Sequence, residues 1–233
     1  MKADRSFLFP ARCPFCGTLL SKAAEFCEKC AGDLSRIPAG ACRTCGVEKG
    51  LCDCGKRKFF VRRRIAPFYY EGAAKTGILR FKKEAHFGGF RTLASLTAAK
   101  IREEYADVAF DLVVCVPSSD GFSRERDFNP SALLGKEIAR LLKLPFDRRF
   151  LVKVFDTKPQ KGMSRTDRIG NVAGVFGLRK PKRAEGKTIL LIDDVITTGA
   201  TVNECAKMLR IFGAKAVYAA AVCVAKPLKK NSK

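Results

Sequence analysis

The sequence predicts an α/β fold: an open, mostly parallel sheet flanked by helices, preceded by a small metal-binding module. Thr188 to Ile192 (TILLI) and Asp111 to Val116 (DLVVCV) are apolar, β-branched runs, the pattern of strands covered on both faces of a parallel sheet. Amphipathic helical stretches follow them, as in a parallel α/β domain. Eight of the eleven cysteines crowd into the first 60 residues. With 233 residues and 47% hydrophobic content, the chain supports one full core plus a small extra module. The expected division is a module over 1–60, an α/β domain over 61–225 and a basic tail over 226–233.

The front module carries Cys13-x2-Cys16 and Cys27-x2-Cys30, then Cys42-x2-Cys45 and Cys52-x-Cys54. In a reducing compartment such clustering reads as metal binding rather than disulfides. Each knuckle presents two thiolates to one ion, and zinc takes four at tetrahedral corners. The expected centres are Cys13/Cys16/Cys27/Cys30 and Cys42/Cys45/Cys52/Cys54, two structural zinc sites closed by four thiolates. The short Cys-x-Cys knuckle leaves crossed pairing between the two sets open, and an iron–sulfur cluster would use the same ligands.

Lys56 to Arg64 (KRKFFVRRR) joins the module to the domain. Aromatics between basic residues suit single-stranded nucleic acid, which makes Arg62, Arg63 and Arg64 candidate contacts; a solvated linker is the plainer reading. Ile65 to Tyr70 reads as an edge strand, and Gly72 to Glu84 and Phe90 to Tyr105 read as helices. Phe90, Leu93, Ala94, Thr97, Ile101 and Tyr105 make one stripe of the second helix. His86, the only histidine, receives no role.

Pro117, Ser118 and Ser119 follow the strand at Asp111–Val116, where an α/β sheet places ligand loops. Their small size suits a pyrophosphate, and a helix is expected over Ser131 to Lys143. Phe155 to Asn171 carries Lys158, Lys161, Arg165 and Arg168 without an apolar stripe, as expected of a lid over an anion. Gly174 to Leu178 is expected to return as a strand beside TILLI, and Ala216 to Val224 to close the sheet.

The most informative stretch begins at TILLI. Asp193 and Asp194 follow, then Val195-Ile196-Thr197-Thr198-Gly199-Ala200-Thr201. A helix comes next, with Val202, Cys205, Ala206, Leu209 and Phe212 at apolar spacing and Gly213 as its stop. A loop feeding a helix N-terminus offers unpaired N–H groups and the positive end of the dipole, which attract a phosphate. The threonines add hydroxyl donors. Two adjacent carboxylates would repel that phosphate, but ionised Asp accepts hydrogen bonds from sugar hydroxyls. Phosphate and sugar side by side describe a ribose 5-phosphate.

This run, Ile189 to Thr201, resembles the phosphoribosyl pyrophosphate (PRPP) motif of type I phosphoribosyltransferases. The resemblance implies that Asp193 and Asp194 hold the ribose hydroxyls while Val195 to Thr201 wrap the 5-phosphate. Beyond it, the front cysteine knuckles, Tyr70-Glu71-Gly72, Arg124 to Asn129 (RERDFN), Pro159-Gln160-x-Gly162-x-Ser164-Arg165 and Asn171-Val172-x-Gly174-x-Phe176 together are similar to the ComF family. Those proteins join a double zinc ribbon to a phosphoribosyltransferase domain and are associated with DNA uptake in natural competence. The resemblance implies a type I phosphoribosyltransferase fold, PRPP with Mg²⁺, and single-stranded DNA, a DNA-uptake helicase or competence proteins as partners. As an enzyme it would use Asp193 and Asp194 to steady the ribose, with Lys161, Arg165 or Arg168 closing over the diphosphate. The alternative is a non-catalytic single-strand-handling or PRPP-sensing scaffold.

Charge and hydropathy narrow the classes further. Forty-five basic against 23 acidic residues give a formal +22, which attracts polyanions, nucleic acid first. No run reaches the roughly 18 apolar residues of a membrane span, and Pro10 interrupts the apolar Phe7-Leu8-Phe9 near the start. The expectation is a cytoplasmic protein without membrane insertion.

Overall fold

The computed structural model describes residues 11–21, 24–52, 54–55, 59–83, 89–118, 128–153 and 175–227. In chain order the elements are α1 (Glu28–Gly32), β1 (Arg64–Ile65), β2 (Phe68–Tyr69), α2 (Gly72–Lys83), α3 (Phe90–Glu104), β3 (Leu112–Cys115) and α4 (Pro130–Leu142). There follow β4 (Phe146–Asp147), β5 (Leu151–Lys153), β6 (Phe176–Leu178), β7 (Thr188–Ile196), α5 (Ala200–Ile211) and β8 (Ala216–Val224). The main sheet runs β1-β8-β7-β3-β4, with β2 also on β8, and every pairing in it is parallel.

Side-chain alternation along the central strands sorts the core into two layers. Leu190 and Ile192 of β7 join Ile78 and Phe81 of α2, Leu93 and Ile101 of α3, and Leu134 and Ile138 of α4. Ile189 and Leu191 face the other way, onto Val202, Cys205, Ala206 and Leu209 of α5. The cysteine module divides between these layers. Phe15, Cys30 and Leu34 belong to the first, Ile37 and Val47 to the second.

Three expectations change. The edge strand breaks into β1 and β2 around Ala66-Pro67, because Pro67 has no N–H to give a ladder. β8 does not close the sheet: all nine of its residues are buried, and β1 and β2 cover the flank opposite β7. β6 does not lie beside β7, whose two flanks are already taken by β3 and β8. It pairs antiparallel with β5 in a separate two-stranded sheet.

α4 is fixed by a cap that matters for the site. Asn129 accepts hydrogen bonds from the N–H groups of Ser131 (2.9 Å) and Ala132 (3.3 Å), and Pro130 takes the first helical position. Asn129 Nδ2 also donates to Val116 O at 3.1 Å, tying the helix start to the end of β3. No helix among the described residues is long and apolar enough to cross a membrane.

Candidate ligand site and cysteine centres

β7 runs past its apolar core through Asp193, Asp194, Val195 and Ile196, all within the strand. Asp193 is paired in register with Ala221, Val195 with Cys223 and Ile196 with Val224. Ile196 is also buried in the second core layer. Val195 and Ile196 therefore extend the ladder with β8, and the turn between β7 and α5 begins at Thr197. The β-branched pair extended the ladder where an earlier end was expected.

In that turn Thr198 Oγ1 accepts the Ala200 N–H at 3.2 Å, and Gly199 adopts φ +77° just before α5. A left-handed residue at that point favours glycine. The hydrogen bond from Asn203 N to Gly199 O, at 2.9 Å, begins the helix. Thr197 is exposed and Thr198 half-buried, so the hydroxyl-bearing side of the turn reaches solvent.

The two carboxylates meet different partners. Asp194, 7% exposed, pairs through Oδ1 with Lys82 Nζ at 3.0 Å. Asp193 Oδ1 accepts Ser131 Oγ at 3.0 Å and the Asp194 N–H at 2.9 Å. Burial raises the Asp193 pKa, and the neighbouring Asp194 charge raises it further. Lys82 and the Ser131 hydrogen bond pull it back, and the balance lies at about 7. Burial opposes the Lys82 charge, yet the Asp194 carboxylate overcomes it and holds the lysine pKa above its ordinary value. One ammonium thus serves two carboxylates, and Asp193 carries a titratable proton near neutral pH.

Lys82 and Ser131 were not singled out from the sequence. Lys82 sits in a basic run, Arg80-Phe81-Lys82-Lys83, that reads as a solvated face. Its spacing from Ala74 and Ile78 nevertheless puts it on the buried stripe of α2. Ser131 owes its place to the Asn129-Pro130 cap. Pro117 and Ser118 lie just beyond β3, whose Cys115 is in register with Ile192, and so at the same end of the sheet as the carboxylates. Ser119, Lys161, Arg165 and Arg168 lie outside the described residues.

The expected three-arginine nucleic-acid face is not what the fold presents. Arg62 is exposed. Arg63 Nη1 donates to Asp107 Oδ1 at 3.0 Å and to Glu104 O at 3.2 Å. Arg64 is 4% exposed, donates from Nε to Thr44 O at 2.8 Å and lies over the Phe59 ring at 4.7 Å. The run reaches β8, and its side chains divide: Arg62 faces solvent, while Arg63 and Arg64 are drawn onto protein partners.

The cysteines gather as two sets, Cys13/Cys16/Cys27/Cys30 and Cys42/Cys45/Cys52/Cys54, each with its sulfurs within 4.8 Å of one another. The pairing is uncrossed. Neighbouring sulfurs lie 3.6 Å apart for Cys16 and Cys27, 3.9 Å for Cys42 and Cys54, and 3.6 Å for Cys45 and Cys52. A tetrahedron with zinc–sulfur bonds of about 2.3 Å has edges of about 3.8 Å, so both sets fit zinc. The knuckles repeat one geometry: Gly17 N donates to Cys13 O (2.9 Å) as Gly46 N does to Cys42 O (2.8 Å).

Comparison with known proteins gives the same two parts. The description "Phosphoribosyl transferase domain" matches residues 91–233, and "Double zinc ribbon domain" matches residues 5–58. Competence protein F of Haemophilus influenzae is 29% identical over 219 residues, covering 90% of this chain and 95% of that protein. Competence protein ComFC of Bacillus subtilis is 28% identical, covering 82% of this chain and 80% of its own length. DNA utilization protein YhgH of Escherichia coli is 34% identical over 113 residues, about half of each chain (48% and 49%).

Proposed function

The chain belongs to the phosphoribosyl transferase domain family and, with its double zinc ribbon, to the ComF family, and from that premise we propose that it binds PRPP and transfers its ribose 5-phosphate in the service of DNA uptake. The observation that carries this reading is the meeting, at one end of the sheet, of the Asp193/Asp194 pair with the Thr197–Thr201 turn. A 5-phosphate in the turn would take N–H groups at the start of α5 and the threonine hydroxyls. The ribose hydroxyls would donate to Asp193 and Asp194, which Ser131 and Lys82 hold in place. Pro117 and Ser118, at the same end of the sheet, would meet the diphosphate, and we assign Ser119, Lys161, Arg165 and Arg168 to it by their chemistry, as hydroxyl donor and positive charges.

In the transfer, the bond from C1 to the diphosphate oxygen breaks with its electron pair leaving on the diphosphate. An acceptor lone pair forms the new bond to C1, and the acceptor gives up a proton. Positive charge develops on the sugar, so carboxylates beside the ribose favour the transition state. Hard oxygen donors such as this carboxylate pair suit Mg²⁺, which when bound supplies charge neutralisation for the diphosphate. We place the reaction in the cytoplasm.

Calorimetric titration with PRPP and Mg²⁺ tests the reading, alongside pyrophosphate release across a panel of nucleobases and amines. Lys82→Met leaves Asp194 buried without its counter-ion. It is expected to weaken sugar-phosphate binding at least tenfold and to destabilise the fold by about 3 kcal/mol. Heat from wild type that the Asp193→Asn/Asp194→Asn variant retains would overturn the assignment.

The formal charge of +22 favours a second activity, handling of single-stranded DNA by the same chain. This reading expects affinity for oligonucleotides to fall steeply with salt. Binding with PRPP uptake but no pyrophosphate release would favour the sensing scaffold over the transferase.

A further inference from the structure

One arginine connects the second cysteine centre to the anion-binding turn. The Cys42–Gly46 knuckle holds Arg64 at three points. Its backbone N–H donates to Arg43 O at 3.2 Å, and its Nε donates to Thr44 O at 2.8 Å. Its own carbonyl lies against Gly46, where an added Cβ would sit 2.7 Å from Arg64 O. Arg43 and Thr44 are the two residues between the ligands Cys42 and Cys45. Their carbonyls can hold the arginine only while the knuckle keeps its shape.

At the other end, the guanidinium rests on the turn. A methyl group at Gly199 would collide with Arg64 Nη1. Gly199 is the residue that caps α5, at the centre of the Thr197–Thr201 turn. Phe59 covers one face of the guanidinium, and the side chain is almost fully enclosed. A delocalised, always-ionised cation is therefore fixed beside the helix start, where it adds to the positive end of the dipole.

We propose that Arg64 is a positioning residue for the phosphate turn and that the second cysteine centre, through it, sets the affinity of that turn for a sugar phosphate. Metal at Cys42/Cys45/Cys52/Cys54 fixes the two carbonyls, the carbonyls fix the guanidinium, and the guanidinium holds Gly199 and contributes charge. The first cysteine centre packs instead into the opposite core layer, beneath α2. The inference rests on the sugar-phosphate reading of the turn.

The test uses the full-length zinc protein and ribose 5-phosphate, with zinc content measured in every sample. Arg64→Met is expected to keep both zinc ions and to bind ribose 5-phosphate about tenfold more weakly, because the turn loses its brace and the charge beside the helix start. Arg64→Lys keeps the charge but cannot reach both Thr44 and Gly199 with a planar fork, and it is expected to fall between the two. Arg62→Met, a change of the same charge at an exposed position, should bind like wild type. Partial zinc extraction from the second centre should weaken binding in wild type but not further in Arg64→Met. Equal losses on extraction from both proteins, or wild-type affinity in Arg64→Met, would overturn the coupling while leaving the sugar-phosphate site in place. Absence of binding to wild type would remove the site reading and the coupling together. Circular dichroism and gel filtration of Arg64→Lys guard against a folding defect being read as a binding one.

Discussion

The two cysteine centres repeat one local geometry and serve opposite sides of the sheet. Around the first, Phe15 is wholly buried against Phe26 and Phe68, with ring centroids 5.8 Å apart in both cases. It also presses on α2 where Gly77 has no side chain: an added Cβ there would lie 2.8 Å from the Phe15 ring. Two of its cysteines, Cys13 and Cys30, are buried as core residues. Around the second, all four cysteines are only half-buried, and the strongest ties are polar, through Arg43 and Thr44 to Arg64. One centre is thus built into the packing beneath α2, the helix that carries Lys82. The other braces a strand edge and a turn. A repeated ligand pattern in the sequence does not imply a repeated task.

Cysteine substitution puts the largest strain on this contrast. Cys30→Ser should release one zinc and forfeit much of the roughly 10 kcal/mol that a structural zinc contributes to folding. Cys52→Ser should release the other zinc yet keep a cooperative thermal transition, because less of the core depends on it. Zinc content with thermal unfolding reads both, and equal falls in the midpoint would erase the distinction. Packing residues give the next effect. Phe15→Ala should cost about 3–5 kcal/mol, and Val47→Ala, its counterpart beside the second centre, about 2 kcal/mol, both measured by urea unfolding.

The remaining test concerns protons, at the site to which both halves contribute. With a pKa near 7 against an ordinary value near 3.8, Asp193 keeps its proton in the folded chain after the unfolded chain has lost it. Its contribution to stability is therefore greatest below about pH 4 and declines as pH rises through 7. Sugar-phosphate affinity should change the opposite way, rising as Asp193 ionises and becomes an acceptor. Asp194→Asn removes the adjacent negative charge and should shift that rise to lower pH. The ligand's own phosphate titrates identically in both proteins, so the displacement between the two curves isolates the carboxylate.

Much of this was legible from sequence because it is local. The TILLI run, the acids behind it, the glycine-containing turn and the amphipathic α5 lie consecutively, and each carries a recognisable pattern. The four knuckles likewise declare themselves by spacing, and the structure resolves their pairing without crossing. What escaped comes from elsewhere in the chain. Lys82 and Ser131 reach the carboxylates from α2 and α4, and nothing near either residue refers to Asp193 or Asp194. Arg64 escaped for the same reason: it stands in a basic run beside the exposed Arg62, while pairing with β8 carried it inward to Thr44 and Gly199. β6 was misplaced because a short apolar run does not reveal which flanks of β7 are already filled.

The inner position of β8 bears on how the chain matures. Its partners β1 and β2 leave the ribosome long before residues 216–224 exist, so two short strands must wait for a neighbour made much later. Contacts so distant in sequence form slowly. Metal capture by the cysteine knuckles needs only nearby residues, and would hold the front of the nascent chain in order, with Phe68 and Tyr69 sheltered, until the sheet's interior strand arrives to receive them.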